Sequence, residues 1–215
     1  MSAIRHESYG QPAPTDDGGL EDRAAPRFRT LLQSARLIGE NSQSLCIVRD
    51  VSETGMKVRL FGTVAVDDRV CVEFKGGRTV FASIKWIEDR FAGLAFETPI
   101  DLQKIFDTAQ PDYSYRAPRL EIDATATVTF GRVKMPMTIL DISTSGIKLL
   151  GGDALIRGED VAIEIEGLVK SNAVVKWKAS DLVGLELEHP IPVERLAGWA
   201  SSREFRRSLS DMASI

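Results

Sequence analysis

One stretch of this chain occurs twice. Asp50-Val51-Ser52-Glu53-Thr54-Gly55 returns 91 residues later as Asp141-Ile142-Ser143-Thr144-Ser145-Gly146. Each copy follows an alternating apolar run and leads into another, Met56–Leu60 and Ile147–Leu150. The same offset carries Trp86 to Trp177, Gly93 to Gly184 and Pro99 to Pro190. Upstream the offset is 92, carrying Pro26 to Pro118, Arg27 to Arg119 and Gly39 to Gly131, as if one residue were lost in the turn. Such self-similarity indicates duplication of a domain of about 90–100 residues, an ordinary domain size.

Each half reads as a series of short strands. In the first they are Thr30–Ile38, Leu45–Asp50, Met56–Leu60, Val70–Phe74, Thr79–Ile87 and Phe91–Phe96. Gly76-Gly77 has the chemistry of a tight hairpin turn. In the second half, Ile122, Ala124, Ala126, Val128 and Phe130 alternate with polar residues, so one face of that strand is expected inside. Met137–Asp141, Ile147–Leu150, Asp160–Ile165, Val169–Lys178 and Leu182–Leu187 follow. A short helix is expected over Asp101–Thr108 and a longer one from about Val193 to Leu209. Arg203, Arg206 and Arg207 would then lie near a helix C-terminus, where positive charge is favoured. The fold class is thus mainly β, with two tandem six-stranded antiparallel β-barrels, each followed by a helix. The expected boundaries are a flexible tail at 1–20, a first barrel at 21–110, a linker at 111–114 and a second barrel at 115–215.

Composition narrows the function. The net charge of −4 argues against a nucleic-acid polymer or an anionic membrane as partner. No apolar run approaches the roughly 18–20 residues of a membrane span, and Met1–Leu20 lacks a signal-peptide core, so a cytoplasmic location is expected. Cys46 and Cys71 sit in apolar strands and read as buried, reduced thiols. His6 and His189 are far apart, and neither a metal-ligand cluster nor a nucleophile–base set is visible. No catalytic activity, metal or cofactor is therefore expected. Trp86 and Trp177 read as core, and Gly93 and Gly184 as strand bends.

The repeated stretch alone is compatible with a turn, in which Asp and Ser bond to nearby backbone and Gly takes positive φ. Arg23 and Arg27 precede the first copy. Guanidinium groups hold phosphate through paired charged hydrogen bonds and match the O6/N7 edge of guanine. Asp50 can accept from guanine N–H groups or hold an arginine in place. Ser52 donates and accepts, and Gly55 lets a backbone approach. This set suits a ligand carrying both guanine and phosphate.

Arg23-Ala24-Ala25-Pro26-Arg27 fits R-x-x-x-R, and Asp50 to Gly55 fits D-x-S-x-x-G. The pairing resembles the PilZ domain, a bacterial six-stranded β-barrel receptor for cyclic di-GMP, and covers nearly all of residues 21–215 as two copies. The resemblance implies that Arg23 and Arg27 clamp the ligand's guanines and phosphates. It implies that Asp50, Ser52 and Gly55 form the barrel side of the site. It also implies a protein partner in motility, polysaccharide synthesis or transcription. In the second copy Tyr115 stands where Arg23 does, with Arg116 one position later, while Arg119, Asp141, Ser143 and Gly146 are kept. The first barrel is therefore expected to bind, and the second weakly or not at all. The alternative is a tandem barrel that binds no nucleotide and mediates protein contacts.

Overall fold

The computed structural model describes residues 28–106, 117–201 and 203. Arg23, Arg27, Tyr115, Arg116, the tail and the linker lie outside the described residues. The first half holds β1 (Phe28–Ile38), β2 (Gln43–Val51), β3 (Gly55–Leu60), β4 (Arg69–Glu73), β5 (Thr79–Glu88), β6 (Phe91–Phe96) and α1 (Leu102–Phe106). The second holds β7 (Ala124–Phe130), β8 (Val133–Ile142), β9 (Gly146–Leu150), β10 (Asp160–Ile165), β11 (Val169–Ala179), β12 (Leu182–Leu187) and α2 (Val193–Ala200).

Each half closes into a six-stranded barrel with every neighbouring pair antiparallel. The strand order is β1-β2-β3-β6-β5-β4 in the first and β7-β8-β9-β12-β11-β10 in the second, the same path twice. Closure leaves no open sheet edge. Alternation fills the interiors: Ala35, Leu37, Cys46, Val48, Val58, Val70 and Ile84 in one barrel, Ala126, Val128, Met137, Ile139, Leu149 and Val175 in the other. Gly76 and Gly77 turn β4 into β5 at φ 83° and 79°, values glycine adopts freely.

The pairing register relocates the one-residue difference between the halves. Arg29 faces Asp50 and Gln33 faces Val48, so β1 carries a bulge between them. In the second barrel Ala124 already faces Ile139, equivalent to Gln33 opposite Val48. The extra residue thus lies in the β1 bulge and not in a turn. Phe130, expected inside, is 37% exposed because its strand ends at the barrel mouth. The last helix, expected to reach Leu209, ends at Ala200. Ser201 Oγ donates to Gly198 O at 2.7 Å and Arg203 Nη1 to Trp199 O at 2.8 Å, and both take helix-end carbonyls. Arg203 also lies 3.8 Å from the Trp199 ring centroid.

Outward-facing residues that are nevertheless buried mark the seam between the barrels. Leu45 is 1% exposed and packs within the second barrel's core cluster, with Phe61 against it. On the same wall, Leu45, Arg36 and Glu73 lie opposite one another across β2, β1 and β4. Arg36 is 2% exposed and ion-paired with Glu73. Its Nη1 donates to Gln43 Oε1 at 3.1 Å and stands 3.7 Å from Glu121 of the second half. Glu121 N–H also donates to Gln43 Oε1, at 3.4 Å. Such a buried guanidinium persists only while its donors are matched.

Candidate functional site

The D-x-S-x-x-G turn joins β2 to β3, and bulges decide where its side chains point. Val48 faces Val58 and Asp50 faces Lys57, leaving Arg49 as an extra residue. Strict alternation from Cys46 and Val48 would turn Asp50 inward. The bulge turns it out and returns Val51 to the core at 2% exposure. A second bulge in β5, between Ile84 and Trp86, does the same for Trp86. Trp86 is therefore 40% exposed, not a core residue as its apolar strand suggested.

The register then lines up one row on the outer wall. Asp50 faces Lys57, Lys57 faces Gly93, and Gly93 faces Trp86. A Cβ added at Gly93 would lie 2.0 Å from Trp86 Nε1, so the indole rests directly on the glycine. Lys57 Nζ sits 5.6 Å from the Trp86 ring centroid and 4.8 Å from that of Phe91. Asp50, Ser52, Gly55, Lys57, Lys85 and Trp86 share a groove of about 550 Å³. Among the residues whose side chains are described, which begin at Gln33, Asp50 makes no side-chain hydrogen bond or ion pair. Ser52 Oγ donates to Gly55 O at 3.1 Å. Gly55 is required by close approach and not by positive φ: a Cβ there would sit 2.4 Å from Leu94 O. A groove elsewhere on this barrel, of about 590 Å³, is lined by Glu40, Asp67 and Asp68. Its one cation, Arg69, is paired with Glu97 at 2.5 Å, so it repels a phosphate ligand.

The second barrel repeats the row as Asp141, Lys148, Gly184 and Trp177, with matching bulges in β8 and β11. Trp177 is 39% exposed and lies on Gly184 as Trp86 lies on Gly93. Its motif groups, however, are engaged internally. Asp141 is ion-paired with Arg119. A Cβ at Gly146 would meet Arg119 Nη2 at 3.1 Å, so the guanidinium also covers the glycine. Ser143 is 2% exposed, accepts from Gly146 N–H at 3.1 Å and donates to Gly146 O at 3.2 Å.

The described residues thus unite Asp50, Ser52 and Gly55 in one groove, and Arg119, Asp141, Ser143 and Gly146 in another place. Arg23, Arg27 and Arg116 lie outside the described residues. β1 begins beside the groove, with Phe28 opposite Val51 and Arg29 opposite Asp50. Sequence reasoning missed Trp86 and Lys57. The available signal was the equal Trp-to-Gly spacing in both halves, Trp86/Gly93 and Trp177/Gly184, each spanning a hairpin.

No curated protein matches the chain. Among solved structures, the Bacillus subtilis inhibitor of motility MotI/DgrA is 18% identical, covering 78% of this chain and 93% of that one, at a TM-score of 0.33. Borreliella burgdorferi PlzA, in complex with c-di-GMP, is 11% identical over 76% and 84%, at 0.35. Escherichia coli YcgR, also in complex with c-di-GMP, is 11% identical over 85% and 80%, at 0.29. The PilZ domain matches residues 21–107 and again 115–198, each match spanning one closed barrel with its D-x-S-x-x-G turn. The chain belongs to the PilZ domain family and carries that domain twice in tandem.

Proposed function

We propose that this protein is a bacterial receptor for cyclic di-GMP that takes the nucleotide in its first barrel. One observation carries the reading. Among the residues whose side chains are described, Asp50 stands without a partner in a groove that also holds an indole and Lys57, whereas Asp141 is already paired. The Asp50 carboxylate accepts guanine N–H groups. The exposed part of Trp86 offers a stacking surface for a base and Lys57 favours phosphate, while the Lys85 ammonium, 3.8 Å from Asp67, is partly matched already. Arg23 and Arg27 supply paired charged bonds from the segment preceding β1. Fixing residues on the ligand costs about 1–2 kcal/mol each, and the arginine bonds offset it. A net affinity near micromolar, about −8 kcal/mol, follows.

Binding in place of catalysis is the role of this site, and the protein acts in the cytoplasm. The nucleotide-bound barrel presents a changed surface to a protein partner in motility, polysaccharide synthesis or transcription. A second reading, a non-binding scaffold for protein contacts, is favoured for the second barrel alone by its Arg119–Asp141 pair. Isothermal titration of Arg23→Ala and Arg27→Ala with cyclic di-GMP tests the proposal, with GTP and cyclic GMP as controls. Each variant is expected to bind at least tenfold more weakly, about 1.4 kcal/mol. Unchanged affinity in both would place the ligand elsewhere.

A further inference from the structure

We propose that Arg119 caps the second barrel's site from within, and that the first barrel holds this cap closed through Glu121. The inference rests on the reading of the first barrel as a nucleotide receptor, extends it to the equivalent motif of the second barrel as a site that is closed while Arg119 is held, and adds a regulation to it.

Three adjacent residues connect the two places. Arg119 reaches Asp141 and covers Gly146, the two ends of the repeated motif. A guanidinium on a carboxylate removes the acceptor that a guanine would use, and its own charge is matched and less available to phosphate. Leu120 fixes the segment to the barrel: its N–H donates to Ile142 O at 2.8 Å and its C=O accepts from Ile142 N–H at 2.9 Å. Glu121 then turns to the seam, where its backbone N–H meets Gln43 and its carboxylate faces the buried Arg36. Arg36 is itself immobilised by Glu73 and Gln43. The first barrel therefore grips the chain two residues from the cap. Arg119 remains 40% exposed, so a competing anion in solvent can reach it once the grip loosens.

The test uses the full chain and Glu121→Gln. This change removes the charge facing Arg36 but keeps the backbone bond to Gln43 and leaves Arg36 paired with Glu73. Amide hydrogen exchange is expected to quicken at least threefold at Leu120 and Ile142–Gly146, with Ile163 and Val175 unchanged as core references. Unchanged rates at Ile142–Gly146 would overturn the coupling. In a second arm, Arg27→Ala/Glu121→Gln is expected to bind cyclic di-GMP at least threefold more tightly than Arg27→Ala. Equal affinities would overturn the gating of the second site. If the unmutated chain binds no cyclic di-GMP, the functional reading fails, and the exchange rates still decide whether Arg119 is held through Glu121.

Discussion

Replacing Gly93 by alanine adds one methyl group at a place with no room for it. The new Cβ would lie 2.0 Å from Trp86 Nε1 and 2.3 Å from Cε2. β6 cannot retreat, because it is paired with β3 on one side and β5 on the other. The indole must lift. Trp86 is 40% exposed, so over half of its surface is covered in place. Uncovering about 60–120 Å² at about 25 cal/mol/Å² loses about 1.5–3 kcal/mol. Alanine returns about 0.5–1 kcal/mol relative to glycine within a strand. The expected net loss is about 0.5–2.5 kcal/mol, or about 2–20 °C in the unfolding midpoint of a domain this size. Urea unfolding followed by tryptophan fluorescence reads it. Gly184→Ala, with the same 2.0 Å clash against Trp177, is expected to weaken the second barrel similarly. Gly198→Ala has nothing within 4 Å and sits in α2, so it is expected to stabilise by about 0.5–1 kcal/mol. A neutral or stabilising Gly93→Ala would refute the picture of an indole fixed on the glycine.

Arg36→Met is expected to destabilise by about 3–5 kcal/mol in denaturant unfolding, because it leaves the largely buried Glu73 without its cation; a loss under 1 kcal/mol would mean the seam does not depend on it. Ser143→Ala, which strands backbone groups of a buried turn, is expected to cost about 1–3 kcal/mol, and the more open Ser52→Ala clearly less; equal losses would contradict the difference in burial. Burial raises the Cys46 thiol pKa to about 12 and that of Cys71 to about 11, from an ordinary 9.0. Their contribution is complete below about pH 9 and falls as pH rises toward 11–12, since only the unfolded chain then releases these protons, at about 1.4 kcal/mol per pH unit for each thiol. Urea midpoints from pH 8 to 10.5 are expected to fall more steeply than in Cys46→Ala/Cys71→Ala, and equal slopes would show that the thiols are not held protonated.

The strand segments were legible because alternation is a local property, whereas the pairing of β3 with β6 and of β1 with β4 is not local and was not read. Leu182–Leu187 and Asp160–Ile165 occur with the bounds read from pattern alone. The bulges were not legible. Asp50 and Trp86 both occupy positions that alternation assigns to the core, and one extra residue in each strand reverses them. A tryptophan in an apolar run gives no sign of such a reversal unless its glycine partner across the hairpin is read with it. The seam was hidden for another reason. Arg36, Gln43 and Glu121 meet through packing between barrels, which has no sequence period. The motif carried Asp50, Ser52 and Gly55 to one groove, but Gly55 serves the contact with Leu94 as well as the turn.

The central claim is that the first barrel's open carboxylate receives a guanine nucleotide. Calorimetric titration of the full chain and of Asp50→Asn with cyclic di-GMP tests it most directly. Asparagine keeps the size of the side chain but replaces a charged acceptor with a neutral amide. The unmutated chain is expected to bind near micromolar and Asp50→Asn at least tenfold more weakly, with both chains unfolding at the same urea concentration. Equal binding by the two chains, or none by the unmutated one, would contradict the claim.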